Sequence, residues 1–238
     1  MIELKRNPLY KLVIRANHIN FADRLTLSQF NYYMGSKPFG MKSKVGYTIE
    51  IDLRKSEDEL MQDCKSNTRN EIRRAIREEF FFEEETSIDA FVQFYNDFAK
   101  EKGIDEITRS HITQYGDNVK LYKSGKNGVT MTMHASAIDS DSKCAILLYS
   151  ASVRFSDSID RKDIGFSNRY LHFKEFIQFK ELGLETYDFN GISIDPEDKE
   201  RYSISQFKAG FGGEQKEVLW LFSYPFCIMN SLRSILQH

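Results

Sequence analysis

The sequence predicts a mixed α/β fold, with a central sheet of parallel and antiparallel strands flanked by helices. Two apolar segments within residues 129–155, separated by the polar turn "SDSK", have the pattern of an antiparallel hairpin. A helical pattern follows over 168–183, and "LETYDFNG" after it is typical of a short strand. Because a helix connects the hairpin to this strand, we expect residues 185–191 to run parallel to the second hairpin strand. Residues 1–46 are predicted to be an N-terminal extension packed on one compact domain of residues 47–238.

The helices of the first half are marked by their caps. Ser56 and Glu59 follow the strand-like "YTIEIDL" with the spacing of a capping box, which predicts that a helix begins there. Thr68 and Glu71 repeat the spacing and predict the start of a second helix. A third has apolar residues at helical spacing from Ile88 onwards, with a glycine at its end. Near the end of the chain, "SISQFKAGF" predicts a short helical segment and "KEVLWLFSY" a last strand.

Composition excludes several classes of protein. The formal net charge of −2 argues against general nucleic-acid binding, which usually requires a basic surface. Three scattered cysteines without a C-x-x-C pair favour a reducing compartment. No signal peptide or membrane-spanning run is evident, so we expect a cytoplasmic protein. The apolar segment 224–238 predicts a helix packed on the core or, alternatively, a contact with the inner membrane surface.

Two short motifs carry the functional signal, the strand "ETYDFNG" and the segment "QFKAGFGGE". Together with the preceding helix, they resemble the FemAB-type aminoacyltransferases and their relatives in the GNAT acyltransferase superfamily. The resemblance covers about residues 47–222, and the arginine-rich "NTRNEIRRA" resembles the basic helix that precedes the catalytic fold in that family. FemAB proteins typically contain two GNAT-like units, whereas this chain has room for one and an N-terminal extension. The matching residues are Tyr187, Asp188, Phe189, Gly191, Phe207, Lys208, Gly210, Phe211, Gly212 and Gly213, with Asn190 in place of a glycine.

The resemblance implies an N-acyltransferase that transfers an acyl group directly to an amino group of a cell-envelope or amino-sugar precursor. In that architecture two parallel strands splay near the middle of the sheet, here "AILLYSASV" and "ETYDFNG", and the donor carbonyl lies in the gap. The family's lysine implies that Lys208 stabilises the oxyanion of the tetrahedral state and that Phe207 orients it. The donor is expected to be acyl-CoA, with aminoacyl-tRNA as the alternative.

Other residues of the motifs are candidates for binding and proton transfer. Asp188 is predicted to act either as the catalytic base or as a structural anchor for Lys208 or for a backbone turn. Tyr187, Asn190 and Ser150 are expected to contact substrate in the gap. His134, in the predicted strand "MTMHASA", is the reserve candidate for the base, because an imidazole pKa suits the deprotonation of an amine. The alternative for His134 is a histidine of the core.

A row of arginines predicts an anion site. Arg69, Arg73 and Arg77 share one helix face, and guanidinium groups suit the pyrophosphate of coenzyme A, a nucleotide sugar or a lipid carrier. The expected partners are therefore a small-molecule acyl donor and an amine acceptor, nucleotide- or lipid-linked. The alternative is a solvated face whose charges pair with neighbouring glutamates.

Two further features of the sequence bear on function. The glycine-rich pyrophosphate loop of GNAT enzymes is missing after the hairpin, where only Gly165 occurs. This leaves open a non-catalytic GNAT-like binding module. The five histidines lack metal-ligand spacing, so no metal is expected.

Overall fold

The computed structural model describes residues 1–7, 10–153 and 159–236. Within them, the strands are β1 Ile2–Asn7, β2 Tyr10–Ile14, β3 Leu27–Tyr33, β4 Met41–Asp52, β5 Phe81–Glu84, β6 Val119–Lys126, β7 Val129–Asp139, β8 Cys144–Ser152, β9 Thr186–Asp188 and β10 Glu214–Ser223. The helices are α1 Phe21–Leu25, α2 Glu57–Asp63, α3 Ser66–Arg77, α4 Ile88–Lys102, α5 Arg109–Thr113, α6 Arg161–Glu181, α7 Lys199–Lys208 and α8 Tyr224–Leu236. None of these helices is long and apolar enough to cross a membrane.

The chain forms two compact units, each assembled from separate segments. The first consists of Met1–Thr48, Gly191–Tyr202 and Gln215–His238, and the second consists of Ile49–Asn190 and Ser203–Glu214. The predicted division after residue 46 stays a prediction, and β4 runs through that position.

In the first unit, β2 pairs antiparallel with β1 and parallel with β3, and β3 pairs antiparallel with β10. Its core contains Val13, Phe30, Met41 and Leu221, all fully or almost fully buried. Helix α8 packs against β3 and α1. The alternating burial of β3 places one face of this sheet in the core and leaves the other partly exposed.

In the second unit, the predicted parallel crossover is present. β9 pairs parallel with β8 on one side and antiparallel with the end of β4 on the other. β8, β7, β6 and β5 follow as antiparallel neighbours. Helix α6 forms the crossover, so the mixed α/β fold and its GNAT-like parallel pair are confirmed. The last residues of the predicted hairpin lie outside the described residues.

Of the two helix caps predicted at Ser56 and Thr68, the first is correct and the second is wrong. Ser56 caps α2, because Glu59 N–H donates to Ser56 Oγ at 3.3 Å and the Glu59 carboxylate accepts from Ser56 N–H at 2.8 Å. The cap predicted at Thr68 is wrong, since α3 begins two residues earlier and Lys65 occupies the capping position. Thr68 is instead buried inside the helix. A Cβ at Gly210 would lie only 2.6 Å from Thr68 Oγ1, so the backbone of Gly210 packs closely against the Thr68 side chain.

The glycines of "KAGFGG" let the chain approach other backbone closely. Gly212 adopts a left-handed conformation (φ +82°), and a Cβ there would lie 2.1 Å from the carbonyl oxygen of Asp63. A Cβ at Gly213 would lie 2.6 Å from the carbonyl oxygen of Glu50 on β4. The glycines therefore hold the segment that follows Lys208 against α2 and β4, and they do so as structural residues.

We predict that Gly212→Ala destabilises the protein far more than Gly183→Ala. Both glycines have φ +82°, but a Cβ at Gly183 would have nothing within 4 Å. The Gly183 variant should lose about 1–2 kcal/mol for its left-handed backbone. The Gly212 variant should lose about 3 kcal/mol or more, because its Cβ also overlaps backbone. Urea unfolding measures both, and equal losses would contradict the close approach.

Candidate active site

The two parallel strands of the second unit part after only three residue pairs. Cys144, Ala145 and Ile146 pair with Thr186, Tyr187 and Asp188. β9 ends there, whereas β8 continues to Ser152. The side-chain amide of Asn190 donates to the carbonyl oxygen of Leu147 at 2.9 Å, where a longer β9 would have continued the ladder. β8 therefore extends beyond its parallel pairing with β9.

The turn that ends β9 is held by Asp188. Its carboxylate is buried and accepts the N–H of Asn190 at 2.8 Å. Asn190 has φ +63°, in the left-handed region that glycine favours and asparagine tolerates. This conformation explains how asparagine can replace the glycine of the family motif. The contact matches the predicted anchoring of a backbone turn, and a catalytic role for Asp188 stays a prediction.

Lys208 reaches the same turn from the end of α7. Its Nζ donates to the carbonyl oxygen of Phe189 at 2.8 Å and lies 3.4 Å from that of Asn190. Burial lowers the pKa of Lys208 to about 8, although attraction by Asp188 opposes the shift. The structure therefore places the predicted catalytic lysine at the point where the strands part, with a proton that is lost more easily than that of an exposed lysine.

Phe207 lies beside this turn within an aromatic cluster. Its ring centroid is 5.5 Å from that of Phe211 and 5.8 Å from that of His172. The guanidinium of Arg169 lies 4.9 Å above the Phe207 ring and forms an ion pair of 2.9 Å with Glu71. This arrangement links α6 to α3 and restricts the position of the residue before Lys208.

Beneath the turn, a fully buried carboxylate collects polar groups from two strands and a helix. Glu175 Oε2 on α6 lies 2.9 Å from His134 Nδ1 on β7, and the Tyr187 hydroxyl on β9 donates to it at 3.1 Å. The Tyr187 oxygen lies 3.2 Å from His172 Nδ1. The His134 and His172 rings lie 4.1 Å apart. The Tyr187 side chain thus lies within this buried network, and its predicted contact with substrate stays a prediction.

The charges in this network follow from burial and mutual contact. Burial alone would raise the pKa of Glu175, but His134 and then His172 outweigh it and hold the pKa at about 2. Burial, with repulsion by His134, lowers the pKa of His172 to about 3. Burial, with the negative charge of Glu175, raises the pKa of Tyr187 well above its ordinary value. At neutral pH, Glu175 is therefore an anion, while His172 and Tyr187 are neutral.

His134 also contacts Asn168 on α6. Its Nε2 lies 2.9 Å from Asn168 Oδ1, and which ring nitrogen donates depends on the tautomer of His134 and on the orientation of the Asn168 amide. His134 itself is fully buried, whereas Asn168 is half-buried.

The same side chains are those, among the described residues, that could hold a metal ion. The ligand atoms of His134, His172 and Glu175 lie within 4.8 Å of one another. The 2.9 Å contact between His134 and Glu175 is a typical hydrogen-bond length, shorter than the roughly 3.3 Å between ligand atoms of tetrahedral zinc. The geometry therefore fits a hydrogen-bonded network better than a zinc site.

The predicted arginine row lies on α3. Arg69 is half-buried and donates to the carbonyl oxygen of Gln62 at 3.1 Å, whereas Arg73 and Arg77 are exposed. Two of the three glutamates expected to neutralise the row, Glu71, Glu78 and Glu79, contact other cations. Glu71 pairs with Arg169, and Glu78 pairs with Arg74 and Lys126. The role of the row in anion binding stays a prediction.

Ser150 lies on β8 opposite His134, in the part of β8 that extends beyond β9. It is half-buried. Its predicted contact with substrate stays a prediction.

Glu175, Asn168 and Arg169 were not predicted as site residues from the sequence. A signal for Glu175 was present, because it lies four residues after the buried Leu171 and four before the buried Phe179. An acidic residue within an apolar helical stripe indicates a buried, paired charge.

No protein-family model matches the chain, and no curated protein matches it by sequence. Its fold is similar to that of FemX, with TM-score 0.71 and 13% identity over 96% of this chain and 85% of the other. L-PGS from Bacillus licheniformis has TM-score 0.60 and 10% identity over 98% and 84% of the chains. A C-terminal domain attributed to a lysylphosphatidylglycerol synthetase of Agrobacterium fabrum has TM-score 0.62 and 14% identity, over 93% and 80%. These similarities show that the chain has a FemX-like fold.

We predict that His172 makes the protein sensitive to mild acid. Unfolded histidine has a pKa near 6.5, while burial lowers the pKa of His172 to about 3, so the unfolded state binds more protons between these values. Stability therefore falls as the pH falls through this window. Between pH 7 and pH 5, wild type should lose about 2 kcal/mol more than His172→Phe. Denaturant unfolding at both pH values, with the exposed His18→Gln as control, measures the difference, and parallel losses in all three would contradict it.

Proposed function

We propose that this protein is an N-acyltransferase that joins an acyl group directly to an amino group of a cell-envelope or amino-sugar precursor. The observation that carries the proposal is the position of the Lys208 ammonium at the end of β9, where the parallel strands part. A carbonyl group in the gap would lie beside a cation and backbone held in a fixed turn. Preorganised donors of this kind stabilise the charge that develops on a carbonyl oxygen during acyl transfer.

The reaction needs no acyl-enzyme. The lone pair of the neutral amine attacks the donor carbonyl carbon, and the carbonyl oxygen becomes an oxyanion beside Lys208. The new C–N bond remains, the bond to the donor's sulfur or oxygen breaks, and the amine proton passes to the leaving group. The protein contributes charge stabilisation at Lys208 and the alignment of both substrates.

The other residues of the site hold this arrangement. Asp188 and Asn190 fix the turn whose carbonyl oxygens bind Lys208. Glu175 fixes His134 beneath it. His134 is the reserve candidate for the base. Since its Nε2 faces Asn168, an amine proton can reach it only after the Asn168 side chain rotates.

For the donor, the first turn of α6 favours an aminoacyl ester over acyl-CoA. In GNAT enzymes a glycine-rich loop and helix N-terminus at this place bind a pyrophosphate. Here the Asp160 carboxylate caps the helix by accepting Lys162 N–H at 2.9 Å, and Asp163 lies in the first turn. Arg161 and Lys162 balance the charge of these two aspartates, but the Asp160 carboxylate occupies a backbone N–H that would otherwise face a pyrophosphate. The similar fold of a domain attributed to lysylphosphatidylglycerol synthetase, whose name denotes an aminoacyl product, supports aminoacyl-tRNA as the donor, with acyl-CoA second.

The occupied N-terminus of α6 also favours the second candidate function, a binding module without catalysis. Mixing the protein with labelled aminoacyl-tRNA, or with acetyl-CoA, and a panel of amino sugars and nucleotide- or lipid-linked amines separates these functions. Amide formation by either donor supports the enzyme. Ligand-induced thermal stabilisation without any product supports the binding module.

We predict that Lys208→Met lowers kcat about 100- to 1000-fold, as expected for the loss of one oxyanion donor. Substrate Kd should change little, because the oxyanion forms only in the transition state. In wild type, kcat should fall above about pH 8, where the Lys208 ammonium is lost. Lys208→Arg is the matched control, because a guanidinium stays charged at this pH. The residual activity of this variant should not fall as the pH rises above about 8. Turnover of Lys208→Met close to wild type would exclude the catalytic role.

We predict that replacing Arg69, Arg73 and Arg77 together by Gln weakens donor binding and reduces its dependence on salt. The row carries three positive charges on one helix face, and such contacts to phosphate are screened by salt. The control variant changes Lys100, Lys102 and Arg109 to Gln, which removes the same charge elsewhere in the same unit. Equal donor affinity in both triple variants would show that the row does not bind the donor and is a solvated helix face.

A further inference from the structure

The first unit carries an exposed apolar patch, defined by Phe21 and Leu25 on α1, Tyr224, Ile228 and Leu232 on α8, and Phe39 before β4. Phe39 is 90% exposed and Phe21 is 70% exposed. Single exposed apolar residues are ordinary, but several large ones on neighbouring elements usually mark a binding surface.

Helix α8 shows that this exposure is confined to one face. Phe226 on its inner face is buried and stacks on Tyr10 and Phe222, with ring centroids 5.4 Å and 5.8 Å apart. Tyr224, Ile228 and Leu232 follow one another at four-residue spacing on the opposite face. The helix is therefore anchored by one apolar face and presents a second to the surroundings.

The members of the patch are linked through α1. This helix packs against α8. The Arg24 guanidinium lies 5.9 Å from the Phe21 ring centroid, and a Cβ at Gly40, the residue after Phe39, would lie 3.7 Å from Arg24 Cδ. Arg24 thus connects the ring of Phe21 to the segment that carries Phe39.

The chain around the patch is basic although the protein as a whole is acidic. Residues 20–47 and 224–238 contain five lysines and arginines but one acidic residue, a net charge of +4, which leaves −6 for the rest of a chain whose total is −2. The acidic residue, Asp23, is buried and forms an ion pair of 3.0 Å with Lys11. Lys37 and Lys42, within three residues of Phe39, are both exposed.

We propose that the apolar patch docks the protein on the surface of an anionic lipid bilayer. Aromatic and aliphatic side chains enter the boundary between headgroups and acyl chains, while flanking basic residues contact anionic headgroups. A second copy of the chain fits this surface poorly, because a two-fold contact would bring the basic segments of both copies together. The proposal rests on the first unit alone and does not depend on the transferase activity.

The test is cosedimentation of the full chain with two kinds of vesicle, pure phosphatidylcholine and phosphatidylcholine mixed with phosphatidylglycerol. We expect binding to the anionic vesicles, and weaker binding at about 1 M salt than at 0.1 M, since the screening length falls from about 10 to 3 Å. Ile228→Ser with Leu232→Ser should lower the affinity about tenfold for each side chain removed. Lys37→Glu with Lys42→Glu should lower binding to anionic vesicles at low salt only.

Matched controls are Ile104→Ser with Leu182→Ser, which replace exposed apolar residues of the second unit, and Lys100→Glu with Lys102→Glu, which place the same charge change there. Circular dichroism checks that each variant folds. Wild type that fails to bind anionic vesicles overturns the proposal, as does equal binding by patch and control variants. A wild-type dimer in light scattering that Ile228→Ser with Leu232→Ser dissociates would assign the patch to a second copy of the chain instead.

Discussion

The fully buried carboxylate of Glu175 is the constraint that sets the position of α6 over the sheet. An unpaired carboxylate in this environment would cost several kcal/mol, so the fold must bring His134 and Tyr187 to it together. A slip of α6 by one residue would turn the carboxylate away from both strands. Because the helix position is fixed in this way, Asn168 and Arg169, both about two turns before Glu175, also have fixed positions.

The parting of β8 and β9 follows from the exchange of backbone hydrogen bonds for side-chain ones. The side-chain amide of Asn190 donates to the carbonyl oxygen of Leu147, in place of a backbone hydrogen bond of the sheet. The ammonium of Lys208 donates to the carbonyl oxygen of Phe189. The parting therefore leaves these buried carbonyl groups paired, which lets a short strand end inside the sheet at low energetic cost. It also draws the ammonium out of water, which is the reason the pKa of Lys208 falls to about 8.

The sequence predicted those parts of the fold that depend on local pattern. The hairpin, the parallel β9 and helix α4 each follow from alternation, helical spacing or a terminal glycine. The beginning of α6 could not be predicted in this way. Its buried residues include Ile164, Phe166, Ser167 and Leu171, which cover more than one face and leave no simple apolar stripe. The partners of Glu175 could not be predicted from local pattern either, since they are 41 and 12 residues away in sequence.

The two sets of arginines show where sequence spacing and contact geometry give different information. Spacing groups Arg69, Arg73 and Arg77, but two of them are exposed, and an exposed charge acts on a ligand through solvent that screens it. Arg169 lies outside that row, on α6, where it forms an ion pair with Glu71 and stacks on Phe207, the residue before Lys208. A planar guanidinium fixed on both sides loses little further freedom when it orders a neighbour. Arg169 is therefore suited to hold the lysine segment in place, whereas the exposed row is suited to attract a charged donor from solution.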